Sequence, residues 1–133
     1  MAPVRVRRDE RGAALVEFAL VLPVLVMFVF GIVEFGRGYN AKIELASAVR
    51  EGARYVALGG TTATRTGVEQ KVEAAAPGLN ATDISISASV LCAGTPAPDN
   101  GRVTATYRFS YQIPLLGSRT KDLTATGVMR CGG

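Results

Sequence analysis

FALVLPVLVMFVFGIV, residues Phe18 to Val33, holds sixteen residues without a charge. Ala13, Ala14, Leu15 and Val16 extend this run upstream across one acid, Glu17, and downstream it meets Glu34 and Phe35. As a helix, Ala13 to Phe35 would be about 34 Å long at 1.5 Å per residue. A bilayer core is about 30 Å thick and takes about 20 apolar residues, so the run is predicted to span a membrane. A buried core helix is the competing reading, but the rest of the chain is too small to wrap a helix apolar on every side.

The composition of the whole chain is on the apolar side for a small protein, and it removes most enzyme chemistry. The chain has 133 residues and 13.9 kDa, enough for one domain. It is 48% hydrophobic and 20% charged, with a mean hydropathy of +0.23. It contains no His and no Trp. Nucleophile chemistry of the Ser-His-Asp or Cys-His kind therefore has no base. Two Cys without His cannot build a four-ligand zinc site. No catalytic residue, metal ligand set, cofactor or small-molecule substrate is implied.

Arg5, Arg7, Arg8 and Arg11 precede the run, opposed only by Asp9 and Glu10. Positive residues beside a span stay in the cytoplasm, so the N-terminus is predicted inside and everything after Phe35 outside. An ordinary secretory signal would need small residues after its apolar core. Glu34-Phe35-Gly36-Arg37-Gly38-Tyr39 stands there instead. The net charge of +4 raises the question of nucleic acid. No compact basic patch interleaved with aromatics supports that partner.

An acid inside a membrane segment costs on the order of 2.5–3.5 kcal/mol at a helix centre. Glu17 is either an interfacial acid that reaches headgroup water or a carboxylate awaiting a cation. Gly12, followed by Ala13-Ala14-Leu15-Val16 and then Glu17-Phe18, resembles the processing site of prepilins in the Flp branch of type IV pili. The wider stretch from Glu10 to Leu58 resembles the TadE-like family of minor pilins, or pseudopilins, of tight-adherence (Tad) pili. Arg11-Gly12, Glu17-Phe18, Pro23, Glu34-Phe35-Gly36 and Arg50-Glu51-Gly52-Ala53-Arg54-Tyr55 carry that resemblance. The other two-thirds of the chain carries no family signature.

The resemblance implies cleavage by a prepilin peptidase between Gly12 and Ala13. It also implies that Glu17 meets the free N-terminal amine of a neighbouring subunit. Two opposite charges in a low dielectric relieve each other's desolvation, whereas either alone is costly. The implied partners are the membrane, the peptidase, other pilin or pseudopilin subunits and the pilus assembly platform. The implied function is a minor pilin that contributes to pilus assembly and surface adhesion. The rival is an uncleaved, single-pass envelope protein with a small binding domain outside, which would need neither Gly12 nor Glu17.

Four regions follow: a basic cytoplasmic leader at 1–12, a transmembrane helix at 13–35, an amphipathic stem at 36–60, and a small extracytoplasmic α+β domain at 61–133. Pro23 should kink the span or be tolerated where neighbours satisfy the freed carbonyl. In the stem, Ile43, Ala46, Val49, Ala53, Val56 and Ala57 recur at three- and four-residue steps. Gly59-Gly60 should stop it. Glu34 and Arg37 are placed to pair. Arg50, Glu51, Gly52 and Arg54 read either as a solvated face or as subunit contacts. A close crossing would account for Gly52, which costs around 1 kcal/mol in a helix.

Thr66 with Glu69 suggests a capping box for a short second helix carrying Val68 and Val72, ended by Pro77-Gly78. Three strands follow by period-two alternation: Ile84 to Cys92, Val103 to Ile113, and Leu123 to Cys131. The expected fold is α+β and pilin-like: a long N-terminal transmembrane and stem helix, packed by a short helix and a three-stranded antiparallel sheet. Cys92 and Cys131 end the first and third strands on one sheet edge. A disulfide there suits an extracytoplasmic location and would add roughly 2–4 kcal/mol. Two free buried thiols are the alternative.

Overall fold

The computed structural model describes residues 10–94, 96 and 98–132. Most of the basic leader therefore lies outside the described residues. Helix α1, Glu10–Gly59, is a single rod of 50 residues, about 75 Å long. It continues as α-helix on both sides of Pro23. Every residue from Gly12 to Val33 is exposed, although most are large and apolar. This part is long and apolar enough to cross a membrane, and the exposure fits a segment whose solvent is lipid. Gly60, with φ of +49°, ends the rod at the predicted glycine pair.

The second half of α1 is the spine on which α2 and the sheet pack. Ala41, Leu45, Ala48, Val49, Ala53, Val56 and Ala57 are buried along one stripe. Ile43 was expected in that stripe but is 52% exposed, and Leu45, fully buried, takes its place. The two differ by a little over half a turn, so a stripe starting at Ala41 passes Leu45 and leaves Ile43 outside.

Helix α2 is Arg65–Ala74. Its cap is Thr64, whose hydroxyl accepts from Gly67 N–H at 3.1 Å. The predicted cap, Thr66, lies inside the first turn. The Thr66–Glu69 spacing was misleading because Glu69 faces Arg65 one turn back, at 3.4 Å. Val68 and Val72 bury fully against α1, as their spacing predicted.

Strands β1 (Ile84–Val90), β2 (Asn100–Ile113) and β3 (Gly117–Arg130) form one antiparallel sheet in the order β1-β2-β3. β2 and β3 pair over their whole length, from Asn100 opposite Arg130 to Ile113 opposite Gly117. Val103, Ala105 and Phe109 of β2 and Ala125 of β3 are buried, on the parity that alternation predicted. β1 departs from it. The register shifts between Ile86 and Ala88, so Ile86 faces Ala105 while Ser89 faces Val103. One extra residue inverts every later side chain. Val90, expected inside, lies opposite Arg102 and is 42% exposed.

The sheet and α2 enclose the stem stripe, and Leu45, Val49, Val56, Val68, Val72 and Val103 form the fully buried centre. Cys92 and Cys131 follow the ends of β1 and β3. They form a disulfide with a Cα–Cα distance of 5.5 Å, which settles the choice against free thiols. The N–H of Cys131 donates to Asp99 O at 3.0 Å and carries the pairing one residue past β3.

Candidate functional site

Two regions of α1 hold the residues singled out by sequence, and the sheet brings a third region beside them. The first is the N-terminal end. Gly12 sits in the first turns of α1, and a β-carbon built there meets no atom within 4 Å. No packing inside the described chain requires glycine at this position. Ala13, Glu17 and Phe18 are likewise exposed on the rod. Among the described residues, Glu17 has neither an ion-pair nor a hydrogen-bond partner.

The second region is the segment Arg50 to Arg54. Arg50, Glu51 and Arg54 are exposed, and none joins the ion pairs found among the described residues. Gly52 faces the opposite way. A β-carbon there would lie 2.8 Å from Val72 Cγ2 and 3.5 Å from Val103 Cγ1. Its surface is taken by this chain's own α2 and β2, so it is withdrawn from the set of subunit contacts. The close crossing considered for it is what the fold contains.

The third region joins the span to the sheet. Glu34 and Arg37 form the expected pair at 2.8 Å. The Arg37 guanidinium also lies 5.8 Å from the centre of the Phe109 ring, a stacking that favours a cation. Phe109 rests on Gly38, where a β-carbon would come within 3.3 Å of the ring. Lys42 donates to Thr124 O at 2.7 Å, and Glu44 accepts from Gly78 N–H at 2.6 Å. The Arg37–Phe109, Gly38–Phe109 and Lys42–Thr124 contacts hold the β2–β3 hairpin lengthwise against α1, with its turn directed towards the apolar half, while Glu44 ties α1 to the connection between α2 and β1.

Between that hairpin and α1 lies an open cleft of about 660 Å³, lined by Met27, Gly31 and Phe35 on one side and Ile113 and Pro114 on the other. Most of its exposed lining is apolar, which suits hydrocarbon, while Glu34, Lys42, Gln112 and Lys121 also border it. The strand pattern alone does not reveal this junction. The available signal was Leu115-Leu116, two large apolar residues inside a turn.

The sequence model of TadE-like proteins matches residues 12–54. Residues 12–54 are TadE-like. The match begins at Gly12, ends at Arg54, and takes in the span and most of the stem. The TadE-like segment is about a third of the chain, and the sheet lies outside it. No curated protein and no solved structure matches the chain. Its one apolar helix fits a single-pass membrane protein.

Proposed function

We propose that this protein is a minor pilin or pseudopilin of a Tad-type pilus, processed after Gly12 and inserted with its N-terminus in the cytoplasm. The observation that carries the reading is a matched pair of residues without an internal use. Gly12 lies in open space, and Glu17 is an exposed acid in the otherwise uncharged stretch from Gly12 to Val33. A chain that only needed an anchor would have no reason to keep an acid there, given its desolvation cost. An assembly subunit does: the amine created at Ala13 of a neighbour is the cation that Glu17 lacks. Phe18 beside it adds apolar contact between packed spans. Pro23 frees one carbonyl in the span for a neighbour to satisfy.

On this reading, residues 1–12 are a leader left inside the cell, 13–35 span the membrane, 36–60 form the stem, and 61–133 complete the domain outside. Cleavage removes four Arg and two acids, which lowers the net charge by two. The leader's job is to orient the span and present Gly12 to the peptidase. Arg50, Glu51 and Arg54, exposed together on the stem, contact other subunits or the assembly platform. The domain contributes to pilus assembly and through it to surface adhesion.

The test is the intact mass and N-terminal residue of the protein from native membranes, with and without the prepilin peptidase. A chain beginning at Ala13 only when the peptidase is present is the expected result. Retention of Met1 to Gly12 in cells with active peptidase would overturn the proposal and leave a permanent anchor.

A further inference from the structure

We propose that the turn of the β2–β3 hairpin, Pro114-Leu115-Leu116, is a second membrane contact. It seats in the outer leaflet beside α1, with a phospholipid acyl chain filling the cleft between them. The proposal rests on α1 spanning the membrane, and four features of the molecule carry it.

The turn exposes its apolar residues. Leu115 is 94% exposed and Leu116 is 68% exposed, at the far end of a hairpin in which Val103, Ala105, Phe109, Ile113, Leu123 and Ala125 are buried or half-buried. The exposure is also maintained against a backbone preference. Leu116 N–H donates to Ile113 O at 3.1 Å, Pro114 takes the second position of the turn, and Leu115 takes the third with φ of +72°. That position ordinarily selects Gly or Asn. A leucine there has a strained backbone and, in water, nothing to cover it.

The turn lies at membrane depth. Ile113 and Pro114 share the cleft with Met27 and Gly31. If the hairpin stayed clear of hydrocarbon, the span would have to end before Met27. Ala13 to Val26 makes only about 21 Å of helix, short of the roughly 30 Å required. About 20 residues from Ala13 instead reach Ile32, which places Met27 to Gly31 in the outermost roughly 8 Å of the hydrocarbon. The turn beside them lies in the same layer.

Charge completes the arrangement. Arg119 and Lys121 are exposed on β3 just behind the turn. At about 3.3 Å per residue they lie roughly 7 and 13 Å from Gly117, a height that suits lipid phosphates. Arg37 and Lys42 stand on the facing side of the stem, with Glu34 already paired. The strand edges limit the depth. β1 pairs with β2 only as far as Tyr107, so beyond it β2 has a free edge, as β3 does on its outer side. Unpaired backbone groups do not enter hydrocarbon. Only the tip of the turn goes in, where the Leu116 N–H to Ile113 O bond satisfies two backbone groups and the remaining ones stay near the interface.

The absence of Trp from the chain provides a direct test. The oxidised full chain, carrying Leu116→Trp, Leu20→Trp or Leu58→Trp, is reconstituted in anionic phospholipid vesicles containing acyl-brominated lipid. The expected result is blue-shifted emission and strong bromine quenching for Leu116→Trp and for Leu20→Trp in the span, and little quenching for Leu58→Trp at the top of the stem. Adding Leu115→Asn, which keeps a residue tolerant of positive φ, should reduce the quenching at position 116 at least twofold while the disulfide still forms. Quenching at 20 but not at 116 would overturn this proposal and leave the span intact. Absence of quenching at 20 would overturn the span itself. Blue-shifted emission at 116 that is unquenched, and is lost on dilution with lipid, would assign the turn to a second copy of the chain and equally overturn the proposal.

Discussion

Replacing Gly127 with Ala should damage this domain more than any other single-methyl addition of its kind, because there the sheet meets the backbone of α1. A β-carbon at Gly127 would lie 2.7 Å from the Val49 carbonyl carbon and 3.0 Å from Arg50 N, with the Val49 carbonyl oxygen closer still. Carbon atoms rest at about 3.5–4.0 Å, so β3 and α1 must part by roughly 1 Å. No side chain can rotate away, since both partners are main chain. β3 is paired with β2 along its whole length, so it cannot shift locally without straining the ladder. Overpacking of this kind costs about 1–3 kcal/mol, and the rigid partners put this case in the upper half of that range. Ala gains back about 0.5–1 kcal/mol by restricting the unfolded chain. The net is a loss of about 1–2 kcal/mol, or a fall of roughly 4–16 °C in Tm for a domain this small. Thermal unfolding of the oxidised full chain in micelles, followed by circular dichroism, measures it. Gly36→Ala is the control, since a β-carbon at Gly36 meets nothing within 4 Å. A Gly127→Ala variant with the Tm of the parent would refute the argument that α1 and β3 are in backbone contact.

Three further outcomes follow from the same structure. Thr64→Ala should cost about 1 kcal/mol as the loss of a helix cap, while Thr66→Ala should stay within about 0.5 kcal/mol; equal losses in urea unfolding would mean that Thr64 is not the cap. Replacing Cys92 and Cys131 together with Ala should lower stability by about 2–4 kcal/mol, as the bridge joins residues 39 apart. The parent's Tm should fall towards the variant's on reduction, and a parent indifferent to reductant would contradict this. Glu17→Gln should leave the Tm within about 2 °C, since an exposed side chain without internal partners contributes little to folding. Incorporation into sheared pili should nevertheless fall roughly tenfold, which corresponds to only about 1.4 kcal/mol of lost pairing; undiminished incorporation would remove Glu17 from the assembly contact.

Much of this architecture was legible because it depends on simple periodicity. The span needed only a count of uncharged residues. β2 was read correctly from Val103 to Ile113 because the strand is regular and half-covered, so alternation and burial coincide. The errors arose where one residue changes the geometry. The bulge after Ile86 inverts the end of β1, and nothing in ISISASV marks it. Thr64 and Thr66 are both competent caps, and the choice between them falls to how α2 docks Val68 and Val72 on the stem. Gly12 and Glu17 were legible as a candidate site because their chemistry is out of place in an apolar run. Arg50, Glu51 and Arg54 were legible only as charge.

The sequence by itself determined the class of molecule: a basic start, an apolar helix with one acid, an amphipathic stem and a small alternating sheet, together with the TadE-like character of residues 12–54. Those are local properties, written in the order and spacing of side chains. Only the tertiary structure decided that Gly52 faces inward, that Gly127 lets β3 reach the α1 backbone, and that Ile113 and Pro114 share a cleft with Met27 and Gly31. Each of these depends on where one element crosses another. Such a crossing is set by the summed packing of a whole interface, and no short stretch of sequence contains it.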